Sequence, residues 1–496
     1  MICRIFLLFL FFPLVMRAGE KLPSISERDS ELRLSSAGAI QAALAKNFSI
    51  EVRRFGPRIA EANLVKASGR FDPILELNVQ RDENSQVEAL VGGVLTPVRA
   101  LSRRDNLSAA IRGTSAIGFE YDLGLGARNN LGIFNQFNNA IVTTASLAVR
   151  QPLLRGFGPA SNLAEVRISR NNLLVSEWSL KAMIIDIITR TTFVYNELHL
   201  AKELLRVAER SRELARQLLV DNEARERIGV MSPLDIAEAR AEVAAREDGV
   251  ILAGRAILDN ENFLKQLVTN DLEKILKVRV EIDAPPSPAF RVDVAAGIRE
   301  ALILRPDYQQ ALLEIRQRNI TLAFTKNRAL PRFDLLGSLA LLGFGNDYEG
   351  SLKRVGMVDQ MAWTVGGIVS IPIPNREGRG AANAAKLECG KALVALQELE
   401  QKMIVDVDNA SGRVVTSRER IGSTAEAVRL AEKSLEAGEE RLRTGTGTTF
   451  EVLGLQKKLI EVEAVLLRAR AGYNQAVSEY QRQTGTTLRE NAVILR

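Results

Sequence analysis

The side chains best suited to catalysis or metal binding are scarce in this 496-residue sequence: one histidine, His199, and two cysteines, Cys3 and Cys389. A structural zinc site usually takes four Cys or His ligands. No metal site, disulfide framework or other cofactor site is therefore expected. His199 sits between Leu198 and Leu200 in a helical stretch, where it reads as a packed or solvated helix residue rather than a general base. No nucleophile–base motif stands out, and there is no phosphate-cradling G-x-x-x-x-G-K-[ST] loop. An enzyme is not expected. Carboxylates are plentiful, and two occupy matching places. Asp235 follows the turn Gly229-Val230-Met231-Ser232-Pro233, and Glu451 follows Gly445-Thr446-Gly447-Thr448. Gly229 and Gly445 suit a left-handed C-cap, Ser232 and Thr448 an N-cap, and Pro233 a first helical position. A carboxylate three residues into a helix is favoured by the helix dipole. The sharper reading is an acidic ring at a pore mouth that attracts cations and pairs with basic groups when closed.

These turns need long helices to carry them. Residues 160–228 contain neither proline nor glycine; as one helix they reach about 100 Å at ~1.5 Å per residue. Val166, Leu173, Leu180, Ile187, Val194, Ala201, Ala208 and Ala215 recur every seventh position. A straight α-helix drifts ~20° per heptad, so this helix must supercoil against long partners. After Gly445, two heptad positions are filled by Val452, Leu459, Leu466, Tyr473 and Tyr480, and by Leu455, Val462, Ala469 and Ala476.

Between the helices the period changes to two. Leu75, Leu77 and Val79 alternate with Glu76, Asn78 and Gln80. Ile141, Ala145, Leu147 and Val149 mark a second strand. Phe333, Leu335, Leu339 and Leu341 mark a third, and Trp363, Val365, Val369, Ile371 and Ile373 a fourth. Such segments suit a half-buried sheet or a transmembrane β-barrel. A further alternating run, Ile117 to Leu125, leaves open whether an inserted hairpin joins that sheet or decorates a loop.

The order of features repeats. AIQAALAKN at 39–47 matches GIREALILR at 297–305, RQPLLRGFG at 150–158 matches SIPIPNREG at 370–378, and Gly229 matches Gly445. The chain thus reads as a duplication. The first repeat is 19–284, with strands near 71–80 and 140–151, the inserted hairpin near 106–126, a long helix at 159–228 and a helix at 233–267. A proline-rich linker at 285–291 precedes the second repeat, 292–488, with strands near 331–343 and 363–374, a long helix at 377–444 and a helix at 448–485. A tail at 489–496 ends the chain. The first helical segment, 37–69, is expected to kink at Pro57. The junctions where strands give way to long helices are marked by Pro152, Gly158, Pro374 and Gly378.

Arg4 followed by the apolar run Ile5–Met16 and a small residue, Ala18, reads as an export signal over 1–18. Its removal deletes Arg4 and Arg17, so the net charge of +6 falls by two to +4. Cys3 goes with it, leaving Cys389 without a partner. Mild basicity in an exported chain argues against a nucleic-acid partner. With 46% hydrophobic and 25% charged residues, no later stretch reaches the ~18 apolar residues of a membrane-spanning helix.

Together these features resemble the TolC family of bacterial outer-membrane efflux proteins. The carriers are the twofold repeat, QPLLRGFG at 151–158, IPNREGR at 373–379, I-G-x-x-S-x-L-D-I-x-x-A at 228–239 and T-G-T-G-T-x-x-E-V-L at 444–453. The resemblance implies a mainly α fold with a membrane β-barrel portion: a homotrimer whose helices form an α-barrel tunnel in the periplasm. Each chain would give four strands to one 12-stranded barrel in the outer membrane of a Gram-negative bacterium. It implies a passive exit duct for efflux or type I secretion, partnered by a periplasmic adaptor, an inner-membrane transporter and outer-membrane lipid. Asp235 and Glu451 match acidic positions at the tunnel entrance; a second acidic position falls on Gly454 and a basic one on Gly447. Gly229, Ser232, Gly445 and Thr448 match the adaptor-contacting tips. A periplasmic coiled-coil adaptor or scaffold without a channel is the competing reading, and it leaves the amphipathic strands unexplained.

Overall fold

The structure, a computed structural model, describes residues 31–86, 89–91, 94–96, 100–132, 140–229, 231–271, 278–286 and 290–493. The expected export signal, the centre of the 285–291 linker and the last three residues of the tail lie outside the described residues.

A short strand, β1 (Glu31–Leu34), leads into α1 (Ser36–Lys46) and α2 (Phe48–Ser68). The break between these helices falls at Asn47, not at the proline. The Asn47 backbone is extended and its side-chain oxygen accepts from the Ser49 N–H, capping α2. Its amide also donates to the Leu267 carbonyl. α2 then runs on through Pro57.

The chain rises through β2 (Ile74–Gln86), and β3 (Ala89–Val91) and β4 (Val94–Thr96) pair as a small separate ribbon. β5 (Ala100–Thr114), β6 (Glu120–Gly132) and β7 (Ala140–Pro152) follow. A single turn, α3 (Pro159–Asn162), precedes α4 (Ala164–Arg227), whose 64 residues form one unbroken helix. The eight heptad residues from Val166 to Ala215 are buried or half-buried, never exposed, as a supercoiled seam requires. α5 (Pro233–Val268) returns antiparallel to it, and β8 (Arg279–Ile282) pairs in parallel with β1.

The second half uses the same order. α6 (Val294–Leu304) and α7 (Pro306–Arg328) lead to β9 (Arg332–Gly345), a short helix α8 (Tyr348–Gly356) and β10 (Gln360–Ser370). α9 (Arg376–Arg443) spans 68 residues, and α10 (Thr449–Thr484) and a final turn α11 (Thr487–Glu490) follow. β10 stops at Ser370, short of the expected 374. Pro372 and Pro374 have no N–H to donate to a ladder, and the pairing ends at Ser370↔Arg332.

Six strands form one antiparallel sheet in the order β10-β9-β7-β6-β5-β2. The inserted segment therefore joins the sheet with two strands, where the family resemblance implied four strands in all. Its register aligns odd-numbered residues on one face. Leu75, Ile111, Leu123, Leu147, Leu339 and Trp363 form one apolar row across all six strands. Leu77, Ala109, Leu125, Ala145, Leu341 and Met361 form the next. Even-numbered residues, such as Glu76, Arg112, Asp122, Ser338 and Thr364, fill the other face. α8 lies over the far end of the apolar face: Ser351 bonds Thr143 side chain to side chain at 2.7 Å, and side chains at Gly343 or Gly345 would overlap its backbone.

Near the sheet, α2, α4, α7 and α9 pack side by side; farther away, α5, α4, α10 and α9 do so. Each level thus holds four helices. α1 packs on α4 and α5, and α6 on α9 and α10, the equivalent place in the second half. Three clusters hold these layers. Ile40, Ile188, Leu198 and Leu264 centre the first; Met403, Val407, Val414 and Tyr480 the second; Leu218, Leu435, Val452 and Leu459 the third, nearest the tips.

Candidate functional site

The two helical tips lie at the end of the molecule remote from the sheet. Gly229 and Gly445 have φ of 81° and 78°, the left-handed conformation in which a Cβ is costly. At the first tip the Ser232 hydroxyl accepts from the Leu234 N–H, and Asp235 Oδ2 accepts from the Ser232 N–H at 3.2 Å. This is a capping box, so the Asp235 carboxylate is engaged locally. At the second tip the Thr448 hydroxyl accepts from the Glu451 N–H. Glu451 itself reaches back across the turn: Arg441 Nη1 donates to Glu451 Oε1 at 2.6 Å. The same guanidinium approaches the Thr446 carbonyl at 3.5 Å, and the N–H groups of Thr446 and Gly447 both donate to the Arg441 carbonyl. Arg225 near the end of α4 donates to the Leu442 carbonyl, tying one tip to the other.

Sequence reasoning missed Arg441 and Arg225. Position 447 is glycine, and the cation that meets Glu451 comes instead from the preceding helix. Ten residues and a turn separate the partners, so no helical spacing announces them. A side chain at Gly447 would press on the Leu442 N atom and the Arg441 backbone, which accounts for glycine there.

The strand-to-helix junctions are built around the expected residues. Pro152 ends β7, opposite Asp334. Gly158, with φ of 85°, precedes α3; Asn162 caps this corner by donating to the carbonyls of Gly156 and Gly158. Asn327 ties α7 to the corner by accepting from the Gly156 N–H and donating to the Leu154 carbonyl. In the second half Pro374 follows a cis peptide bond, and Asn375 donates to the Ala329 carbonyl. Gly378 faces the Ala329 Cα so closely that a Cβ would sit 3.0 Å from it.

The polar face of the sheet is laced by cross-strand pairs. Arg112 joins Glu76 and Asp122, and Arg150 joins Glu120 at 3.0 Å and the fully buried Asp334 at 2.7 Å. Arg128 donates to Asn106, and Arg104 to Asn130. A face with alternating charges and amides suits water; the opposite face, with its apolar rows, suits hydrocarbon.

The scarce reactive groups lie elsewhere. Burial holds the His199 imidazole below its ordinary pKa, against the pull of Glu203, so it is neutral near pH 7. The buried Cys389 thiol donates to Asn319 Oδ1 at 3.1 Å, a packing role between α9 and α7.

The sequence profile described as "Outer membrane efflux protein" matches residues 297–486. The outer membrane protein TolC of Vibrio cholerae is 22% identical over 310 residues, 60% of this chain and 68% of its own. The outer membrane efflux protein BepC of Brucella suis is 20% identical over 332 residues, 66% of this chain and 68% of its own. Among solved structures, the Campylobacter jejuni CmeC outer membrane channel superposes with a TM-score of 0.69 at 17% identity, covering 91% of this chain and 86% of its own. These likenesses agree with the mixed architecture described above, an α-helical body joined to an amphipathic sheet. Residues 297–486 thus match the outer membrane efflux protein family, and the chain as a whole is similar to TolC in sequence and to an outer membrane channel in fold.

Proposed function

We propose that this protein is the outer-membrane exit duct of an efflux or type I secretion system. The observation that carries this reading is the sheet. It has one apolar face and one charged face, and β2 and β10 each pair on one side only among the described residues. A sheet with open edges cannot stand in lipid, and six strands fall short of the ~8 that close the smallest barrel. Copies of the chain must therefore meet edge to edge. By resemblance to TolC-type ducts the number is taken as three, a homotrimer. The long helices then line a periplasmic tunnel whose tips are the docking place of a periplasmic adaptor through Gly229, Ser232, Gly445 and Thr448. An inner-membrane transporter supplies the energy, and Asp235 and Glu451 stand at the tunnel entrance. The duct itself is passive; it takes no part in chemistry.

The experiment is fractionation of cells expressing the full chain, followed by reconstitution in planar bilayers. Release from the outer-membrane fraction only by detergent, together with pores of defined conductance, is the expected result. A protein that is soluble without detergent and forms no pores would instead favour the coiled-coil scaffold.

A further inference from the structure

Six strands per chain change what the duct can pass. The extra pair is not an appendage. β2 and β7 would be neighbours in a four-stranded sheet; here β5 and β6 stand between them. They are hydrogen-bonded to both from Ile74↔Arg112 to Gln86↔Ala100 and from Glu120↔Arg150 to Asn130↔Ala140. The two strands cannot leave the wall without splitting it. They continue its apolar rows through Ile111 and Leu123, and its charged face through Arg112 and Asp122. Strand directions also alternate throughout, so β2, leaving α2, runs opposite to β10, which runs toward α9. The edge of one copy is thereby antiparallel to the edge of the next, as every pairing inside the chain is. Both edges carry the most exposed apolar side chains of these rows: Leu77 is 70% and Trp363 68% accessible, against 37% for Leu147 and Leu339.

The arc lengths agree with this wall. Four helices at 8–10 Å spacing occupy about 32–40 Å of tunnel circumference. Six strands spaced ~4.8 Å and tilted ~40° occupy about 38 Å. The match holds for any number of copies.

We propose that the protein forms an 18-stranded barrel, six strands from each copy, wider than the twelve-stranded wall that four strands per copy would build. The number 18 rests on the trimeric duct proposed above; six strands per copy does not. An 18-stranded wall has a backbone diameter of about 36 Å, against about 24 Å for twelve strands. After ~6 Å of side chain on each side, the bores are about 24 and 12 Å.

The test uses the full chain in lipid nanodiscs and in planar bilayers. Imaging is expected to show three-fold rings with 18 strands, β2 of each copy paired with β10 of the next. Poly(ethylene glycol) of about 9 Å hydrodynamic radius, added from the sheet side, is expected to enter and lower the conductance; a bore of twelve strands excludes it. A three-fold ring of twelve strands, or exclusion of that polymer, overturns the wide exit and leaves the duct standing. Rings of another copy number with six strands each keep the continuous wall and overturn the trimer. Protein that forms no ring overturns both.

Discussion

Replacing Arg441 by alanine is expected to loosen the tunnel tip. The Arg441–Glu451 bond, at 2.6 Å, joins the last turn of α9 to the first of α10 across the glycine turn. At a charge separation of ~4 Å the Coulomb energy lies between about 1 and 4 kcal/mol for a surface pair. The side chains are 56% and 36% exposed, so solvent screening and the entropy of ordering two side chains cut this to about 0.5–1 kcal/mol. The contact to Thr446 at 3.5 Å adds little. One clamp therefore shifts an opening equilibrium roughly two- to five-fold. In the proposed trimer, three clamps that open together shift it on the order of 10- to 100-fold. The assay is open probability in planar bilayers at 0.1 M salt. Raising the salt to 1 M shortens the Debye length from about 10 to 3 Å, and the gap between variant and native protein should shrink. Arg441→Ala also leaves Glu451 without its guanidinium, so cation selectivity should rise; Glu451→Gln should open the tip equally without that rise. Arg443→Ala is the control, because Arg443 pairs with Glu440 three residues before it in the same helix and spans no turn. If Arg443→Ala opens the channel as much as Arg441→Ala, or Arg441→Ala changes nothing at low salt, the clamp is not what holds the tip.

Other expectations concern the framework. Arg305, buried in the α6–α7 corner, donates to both Asp307 oxygens and to the Gln483 carbonyl and side chain; Arg305→Ala should cost roughly 2–3 kcal/mol in denaturant unfolding, because buried acceptors lose their donor. Burial pushes the half-exposed Asp307 carboxyl up, but the Arg305 guanidinium outweighs it and holds the group below its ordinary value. Its contribution, reduced by solvent screening, is present above pH ~4 and lost as pH falls through the lowered value; Asp307→Asn should flatten this acid limb of the stability profile. The buried Tyr195 hydroxyl lies 3.0 Å from the Leu34 carbonyl and 2.9 Å from that of Asp283, at the end of the β1–β8 pair, and its pKa is pushed up to about 12, chiefly by burial. Tyr195→Phe should cost about 1–2 kcal/mol, read as earlier thermal unfolding. Gly343→Val places a side chain against the Ser351 backbone; it should detach α8, seen as faster tryptic cleavage after Lys353 and Arg354.

Much of this architecture is local and so legible in the sequence. A seven-residue period over eight positions dictates a supercoiled helix whatever surrounds it, and α4 runs unbroken from Ala164 to Arg227. The glycine turns, Ser232 and Thr448 were readable because capping is settled within four residues. The break at Asn47 was overlooked because Pro57 is the louder signal. Asn47, an Asn directly before Phe-Ser, was the available clue, and its capping bond decides the break. The α8 helix, the β1–β8 pair and Arg441 were not legible, because each depends on residues brought together by the fold.

The inserted hairpin is the most instructive of these cases. Alternation from Ile117 to Leu125 identified a strand with one apolar side, and no more could follow from it, since the same pattern serves a loop ribbon and a barrel wall. Membership of the wall is decided by register. Slipping β6 by one residue would set Leu123 beside the charged row of Arg112 and Arg150 and turn Asp122 toward the apolar rows. The observed register instead sets Leu123 between Ile111 and Leu147, and Asp122 beside Arg112. Both faces favour the same alignment: apolar contacts on one side, and on the other charge pairs that would be costly to turn toward lipid. That agreement of the two faces makes the extra strands part of the wall.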